Sequence, residues 1–302
     1  MSNRNYTLFK LKELYDVYGT PLISTEEVID TKFIKKIASI SQSSDSQIII
    51  SSTSVVDDLE TIMKSGIYNV IFSGRGDSEK IINTISQIQI NTCLFDEMQK
   101  IKNIMPCTYY HLLSVAALSL KIGLDLKDRE YDPVMFAKIG LVHDMGKSRL
   151  PIEILEKEKP LTDAEFKVIQ THPIIEYILL SYYLKNADSS IAQTTFSHHE
   201  RLDGSGYPRG ITSLDKYVQI IMVCDIFDAL ISMRPYRNEP YTVRAALDLL
   251  LEESQKGKIN KKYVVCLISY IRRDKPNFNN LKVAVLNRDA PPQINYYGIR
   301  DN

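Results

Sequence analysis

The sequence predicts a mainly α-helical protein in which a small α/β unit precedes an all-helical domain. Two short apolar runs, 47–50 and 69–72, are typical of buried strands and lie near the start. From about residue 104 to residue 272, apolar residues recur instead at helical spacing. We therefore expect a first unit over residues 1–100 and a second over 104–302, which ends in a short tail.

Composition and charge exclude several classes of protein. The 302 residues carry 37 basic and 37 acidic side chains, so the net charge is zero. Duplex nucleic-acid binders usually carry a basic excess, and we do not expect such a partner. No apolar run approaches the roughly 18 residues of a membrane span, and the polar start is unlike a secretory signal. Four widely spaced cysteines indicate a reduced, cytoplasmic protein without disulfides.

The N-terminal unit contains helical patterns around its two predicted strands. Helical spacing over 55–65 separates the strands, and Gly66 is predicted to end that helix. A second helix is predicted over 79–88. Because no motif here carries recognised chemistry, our hypothesis is that this unit regulates or dimerises the helical domain.

All five histidines lie in the helical part of the chain. His111 shares a helix face with three apolar residues, and His143 closes a second stripe of that kind. A capping box, Thr162 with Glu165, is predicted to open a helix that reaches His172. A single histidine is most simply a core or surface residue, but buried imidazoles that converge are readily satisfied by a metal.

Imidazole and carboxylate side chains, which can both bind metal ions, occur in pairs along this part of the chain. His143 precedes Asp144, His198 precedes His199, and Asp225 and Asp228 share one face of a long helix predicted over 217–233. Imidazole and carboxylate ligands without thiolate suit iron, manganese, zinc, cobalt or nickel. The set exceeds the needs of one ion, whereas two neighbouring ions would use it, with the carboxylate of Asp144 available to bridge them.

Five stretches closely resemble the HD-GYP family in their order and approximate spacing: YH at 110–111, HDMGK at 143–147, HP at 172–173, HHERLDGSGYP at 198–208, and DIFDAL at 225–230 with RPYR at 234–237. The string at 198–208 is the most specific of them. The resemblance extends over about residues 104 to 272.

The resemblance implies an all-helical HD-superfamily domain that hydrolyses cyclic di-GMP to pGpG, GMP or both. Its cofactors would be two divalent ions, iron or manganese, and a hydroxide bridging them would attack the phosphorus. By position, it implies seven metal ligands: His111, His143, Asp144, His172, His198, His199 and Asp225. Asp144 would be the bridging, catalytic carboxylate.

The family pattern also implies substrate contacts. Lys147, Arg234 and Arg237 match phosphate-contacting positions, and Lys147 is also expected to be catalytic. Tyr207 matches the tyrosine of the GYP loop, where it either stacks on guanine or shapes the loop. Some members carry a glutamate one turn before the first histidine, which completes a three-metal site. Here that residue is Cys107, which we expect to be buried as a small apolar group, so two metals are favoured.

Other functions remain as alternatives. The first is a non-hydrolysing effector that binds cyclic di-GMP or a protein partner on the same scaffold. The second is an HD-type phosphohydrolase that acts on a mononucleotide or on a different cyclic dinucleotide. Besides the cyclic dinucleotide, a homodimer and a signalling protein are the partners we consider.

Overall fold

The computed structural model describes residues 13–23, 29–74, 76–233, 239–281, 283 and 300–301. The α-helices in these ranges are α1 (Thr31–Ser39), α2 (Val55–Met63), α3 (Gly66–Phe72), α4 (Asp77–Ser86), α5 (Thr92–Ile104), α6 (Pro106–Leu126), α7 (Pro133–Gly140), α8 (Ile152–Leu155), α9 (Asp163–Ile169), α10 (His172–Tyr183), α11 (Ser190–Ser197), α12 (Lys216–Ile231), α13 (Val243–Gln255) and α14 (Lys261–Ile271). The strands are β1 (Leu14–Tyr15), β2 (Pro21–Ile23), β3 (Gln47–Ile49), β4 (Gln89–Asn91), β5 (Leu161–Thr162) and β6 (Arg300–Asp301).

The strands form three small sheets of two strands each. Strands β1 and β2 pair antiparallel, as do β3 and β4, whereas β5 and β6 run parallel. Strand β3 confirms the strand predicted at 47–50, and α4 corresponds to the helix predicted at 79–88. The prediction of a mainly helical protein with a small N-terminal α/β region is confirmed.

The strand predicted at 69–72 is wrong, because this segment belongs to helix α3. Tyr68, Ile71 and Phe72 are its buried residues, and their spacing of three and one is that of a helix face. A short apolar run has the same composition in a strand and in a buried helix, so the sequence could not separate the two. Gly66 begins α3 with a positive φ of 44° and does not end α2, which stops at Met63.

The capping box that opens α9 is present as predicted. Thr162 Oγ1 accepts a hydrogen bond from the Glu165 amide at 3.3 Å, and the Glu165 carboxylate accepts one from the Thr162 amide at 2.7 Å. The helix does not reach His172, however, since α9 ends at Ile169 and α10 begins at His172. Pro173 accounts for the break, because proline has no amide hydrogen to donate to a carbonyl of the preceding helix.

Helices of the N-terminal part pack directly on the later helices. Helix α2 lies against α6, and α3 lies against α14. Tyr109 of α6 donates a hydrogen bond from its hydroxyl to Asp58 of α2 at 2.8 Å. The buried apolar side chains form a continuous cluster through both parts of the chain. None of the helices in the described ranges combines the length and apolar character needed to cross a bilayer.

Helices α6 and α7 approach each other closely at a glycine. A Cβ atom on Gly140 would lie 2.5 Å from Ala116 Cα and 2.6 Å from the Ala116 amide nitrogen, which are backbone atoms that cannot turn away. The last turn of α7 therefore rests on the backbone of α6, five residues beyond His111 in the sequence. This contact brings the segment after α7, which contains His143, next to α6.

We predict that Gly140→Ala destabilises the protein by about 1–3 kcal/mol, because its methyl group overlaps the backbone of α6. Helix propensity alone favours alanine at a helical position by up to about 1 kcal/mol, so the two effects have opposite signs. Urea unfolding of both proteins measures the difference. A variant as stable as the wild type would show that the helices have room to separate.

Candidate metal centre

The residues predicted as metal ligands come from five separate places and meet in the interior. His111 lies in α6, His172 begins α10, and Asp225 lies in α12. His143 and Asp144 lie in the turn after α7, not within a helix as the spacing predicted, and His198 and His199 follow α11. Six of the seven are buried, and His199 is partly exposed.

The same local device orients three of the histidines. Each stands just beyond a helix and places its Nδ1 on the carbonyl oxygen three residues earlier. His143 Nδ1 lies 2.9 Å from the Gly140 oxygen, and His172 Nδ1 lies 2.6 Å from the Ile169 oxygen. The carbonyl groups at a helix end have no partner within the helix, so a ring N–H satisfies them. With Nδ1 protonated, each ring presents an unprotonated Nε2 to the interior.

A first cluster surrounds the Nε2 atom of His111. This atom lies 3.1 Å from Asp225 Oδ1, 3.3 Å from His143 Nε2 and 3.6 Å from Asp144 Oδ2. His143 Nε2 is 3.9 Å from both of these carboxylates. His111, His143 and Asp144 together form a group that could hold a metal ion.

A second cluster surrounds the Nε2 atom of His172. It lies 3.0 Å from His199 Nε2 and 3.4 Å from His198 Nε2. Asp144 Oδ1 completes the group, at 3.4 Å from His172 Nε2 and 3.7 Å from His198 Nε2. These four residues form a second group with the spacing of metal ligands.

Asp144 belongs to both clusters, and its two oxygens face different ones. Oδ2 faces His111 and His143, whereas Oδ1 faces His172 and His198. Within the described part of the chain, Oδ1 is buried and accepts no hydrogen bond. A buried carboxylate oxygen without a donor is costly, and a cation between it and the imidazoles removes that cost. The residues present therefore fit a pair of metal ions.

The protonation states also suit metal binding. Burial lowers the pKa of His143 to about 4 and that of His172 to about 3, so both rings are neutral near pH 7. Burial opposes ionisation of Asp144, but the charge of Lys147 holds its pKa well below the usual range. Burial also opposes ionisation of Asp225, but its contact with the imidazole of His111 holds its pKa well below the usual range. Neutral imidazoles and ionised carboxylates are the forms that coordinate cations.

Two of the predicted substrate-contacting residues border these clusters. Lys147 Nζ lies 2.5 Å from Asp144 Oδ2, and its side chain is 20% exposed, so its ammonium group is accessible from outside. The ring of Tyr207 stacks on that of His199, with centroids 4.7 Å apart. Arg234 and Arg237 lie outside the described residues.

The loop that carries Tyr207 is held by a buried acid. Glu200 accepts hydrogen bonds from the amides of Arg209 at 2.8 Å and Ile211 at 3.2 Å. Gly206 lies against the loop's own start, where a Cβ atom would be 2.4 Å from the Arg201 nitrogen. The loop therefore closes on itself and holds Tyr207 over His199.

Asp228 and Tyr68 belong to the site although the ligand predictions omit them. Asp228 accepts from His111 Nδ1 through one oxygen and from the Tyr68 hydroxyl through the other. The spacing of Asp228, one turn after Asp225, was a usable signal. Tyr68 gave none, because it directly precedes the segment that was predicted to be a strand.

Cys107 and Glu176 lie close in the sequence to two of the predicted metal ligands, His111 and His172. Cys107 is exposed and lies in neither cluster of the described residues, so the prediction that it is buried is wrong. It lies one turn before His111, near the start of α6, where its side chain faces outward. Glu176 follows the HP motif at 172–173 and is fully buried in α10. Burial and the charge of Asp144 raise the pKa of Glu176 well above its ordinary value, which favours the neutral form of its carboxyl group.

Comparison with known proteins matches residues 87–262 to a family described as "HD domain". The chain is 42% identical over 120 residues to "Cyclic di-GMP phosphodiesterase response regulator RpfG" of Xanthomonas campestris pv. campestris (strain 8004), covering 39% of this chain and 31% of that protein. It is 31% identical over 180 residues to "3'3'-cGAMP-specific phosphodiesterase 1" of Vibrio cholerae serotype O1, covering 59% of this chain and 40% of that protein. It is also 31% identical over 163 residues to "Cyclic di-GMP phosphodiesterase PdeB" of Borreliella burgdorferi, covering 53% and 42%. The matched region thus spans less than half the length of each of these relatives.

We predict that the metal-free chain loses stability as the pH falls from 7 to 5. Histidines of the unfolded chain titrate near 6.5, whereas those at 143 and 172 have pKa values of about 4 and about 3 in the folded state. These two histidines therefore bind more protons in the unfolded chain in this range, and their contribution to the free energy of unfolding decreases as the pH falls. Urea unfolding in EDTA measures it. His172→Gln should flatten the dependence, and equal stability at pH 7 and pH 5 would contradict the prediction.

Proposed function

The chain belongs to the HD domain family, and we propose that it is a metal-dependent phosphodiesterase that hydrolyses cyclic di-GMP to pGpG, GMP or both. The observation that carries this proposal is the double role of Asp144, whose two oxygens face two separate groups of imidazoles. A carboxylate shared by two clusters of nitrogen ligands can hold two metal ions close together, and two neighbouring ions are what two-metal phosphoester cleavage uses.

We assign His111, His143 and Asp225 to one ion, with Asp144 shared between both. His172, His198 and His199 are the remaining ligands of the other ion. Nitrogen and oxygen donors without sulfur are compatible with iron or manganese, the metals that the resemblance to the HD-GYP family implies. When bound, such ions lower the pKa of a water molecule toward neutrality and stabilise charge on phosphoryl oxygens.

The chain's own residues would bind and orient the substrate. Lys147 carries a positive charge beside Asp144 and is reachable from solvent, so its ammonium can neutralise a phosphate of the cyclic dinucleotide. Tyr207 lies over His199, where its ring either stacks on guanine or fixes the loop. Arg234 and Arg237 are proposed as further phosphate contacts, because guanidinium groups bind phosphate through two parallel hydrogen bonds.

The names of the relatives support the substrate class. Two of the relatives described above are named as cyclic di-GMP phosphodiesterases, and one is named as specific for 3'3'-cGAMP. Both substrates are cyclic dinucleotides with two phosphodiester groups. We propose cyclic di-GMP as the substrate. The second candidate substrate is 3'3'-cGAMP, because the Vibrio cholerae relative is named as specific for it.

Three further proposals concern the whole protein. All four cysteines lie within the described ranges and are free, which supports a reducing, cytoplasmic location. The first hundred residues are proposed to be a regulatory or dimerising unit, divided near residue 104 from the catalytic part. The partner would then be a second copy of this chain or a signalling protein. Light scattering measures the mass of the purified chain in solution and so tests for the homodimer.

The purified protein should contain about two iron or manganese ions per chain. His143→Ala and Asp144→Ala should lose both metal and cleavage of cyclic di-GMP, because each removes a ligand and Asp144 serves both clusters. Metal analysis and product chromatography measure the two effects. Asp45→Ala is the matched control, since that carboxylate is 85% exposed and pairs only with Lys185 among its charged neighbours in the described chain. A metal-free wild-type protein would refute the proposal.

Lys147→Ala should separate catalysis from metal binding. We expect the metal content to stay near that of the wild type, while kcat falls by about 100- to 1,000-fold through loss of one charge-stabilising donor. The same metal analysis and a steady-state assay test this. A variant that keeps full kcat would show that Lys147 has no part in the reaction.

A substrate panel should favour cyclic di-GMP over 3'3'-cGAMP and over mononucleotides in kcat/KM. Preference for 3'3'-cGAMP would move the assignment to the second candidate. Binding of cyclic di-GMP by the metal-loaded chain without turnover would instead identify a non-hydrolysing effector.

A further inference from the structure

The carboxylate of Asp228 connects a proposed metal ligand with the N-terminal part of the chain. Asp228 is fully buried in α12. Its Oδ2 atom accepts from His111 Nδ1, and its Oδ1 atom accepts from the hydroxyl group of Tyr68 in α3. One carboxylate thus receives hydrogen bonds from residues that are 160 and 117 positions away in the sequence.

The bond to Asp228 determines which nitrogen of His111 can bind a cation. With its proton on Nδ1, His111 presents the Nε2 lone pair to Asp225 and Asp144, at 3.1 Å and 3.6 Å. A carboxylate behind a ligating imidazole fixes the tautomer and the ring orientation, and it makes the ligand nitrogen more basic. His111 differs in this from His143 and His172, whose Nδ1 atoms lie on backbone carbonyls.

Tyr68 is itself held firmly in place. Its side chain is 8% exposed and packs on Phe72 of the same helix. Ser114 of α6 and Ser232 after α12 also interact with the Tyr68 hydroxyl group. Lys275, which follows α14, also holds α3, because its Nζ donates to the Val70 carbonyl at 2.8 Å. Helix α3 is thus fixed against the later part of the chain, with the hydroxyl group aimed at Asp228.

We propose that Tyr68 is a positioning residue for the metal centre, which acts through Asp228 on His111. Tyr68 lies before residues 87–262, so the segment matched by the HD domain family does not contain it. The N-terminal part of this chain therefore supplies a hydroxyl group that influences the metal affinity of the first cluster, the one around His111. This inference rests on the proposed function to the extent that His111 binds a metal.

The measurement is Mn²⁺ affinity, determined by calorimetry on the full chain after removal of metal with EDTA. Tyr68→Phe removes one oxygen atom and should weaken Mn²⁺ binding by about 10- to 100-fold, the usual effect of losing a group behind a metal ligand. Tyr183→Phe is the matched control. Tyr183 is also buried, and its hydroxyl donates to the carboxylate of Glu97 at 2.7 Å, away from both clusters. The control should bind Mn²⁺ within about twofold of the wild type.

A double-mutant cycle separates positioning from general packing. If Tyr68 acts through Asp228, then Tyr68→Phe should change Mn²⁺ affinity by less than about twofold when Asp228→Asn is already present. Equal effects of Tyr68→Phe in both backgrounds would overturn the proposed route. Equal Mn²⁺ affinities of Tyr68→Phe and Tyr183→Phe would overturn the inference as a whole.

Two further outcomes keep the test decisive. If Tyr68→Phe does not fold, 3-fluorotyrosine at position 68 keeps the ring and hydroxyl but alters the hydrogen bond. Unchanged Mn²⁺ affinity would then overturn the inference, and a changed affinity would support it. A wild-type chain that binds neither Mn²⁺ nor Fe²⁺ would overturn the proposed function itself, whereas a wild type that binds Mn²⁺ with an unaffected Tyr68→Phe variant overturns only the role of Tyr68.

Discussion

The sharing of Asp144 between two groups of histidines is the constraint on which the rest of the site depends. A carboxylate that is 1% exposed must be compensated on both oxygens. Lys147 compensates Oδ2, while Oδ1 faces the imidazoles of His172 and His198. This environment makes the interior of the helical domain a place for cations, and it explains why so many polar side chains are tolerated in an otherwise apolar core.

Helix ends do much of the positioning. His143, His172 and His198 each follow the end of a helix, and each ring returns a hydrogen bond to the carbonyl three residues before it. The same bond gives a partner to a carbonyl group at a helix end and orients an imidazole ring. Stability of the helix end and geometry of the site are therefore linked. Close contacts such as that of Gly140 with Ala116 then bring the helix ends together.

The motif residues, their types and their order were evident from the sequence, as were the helical class and the capping box of α9. Local signals sufficed for these because capping, periodicity and motif spacing involve residues close in the chain. The exact ends of helices near His143 and His172 were not predicted, since a histidine at the end of a helical stripe fits the helix face and the following turn equally well.

The sequence by itself determined which side chains are available for chemistry: seven imidazole and carboxylate groups, a lysine beside them and a loop with a fixed tyrosine. Only the tertiary structure decided that Asp144 faces two clusters, that Cys107 points outward, and that Tyr68 reaches Asp228. These facts depend on contacts between segments far apart in the chain. Tyr68 and Asp228 are 160 residues apart, and no local pattern of apolar residues encodes such a pairing.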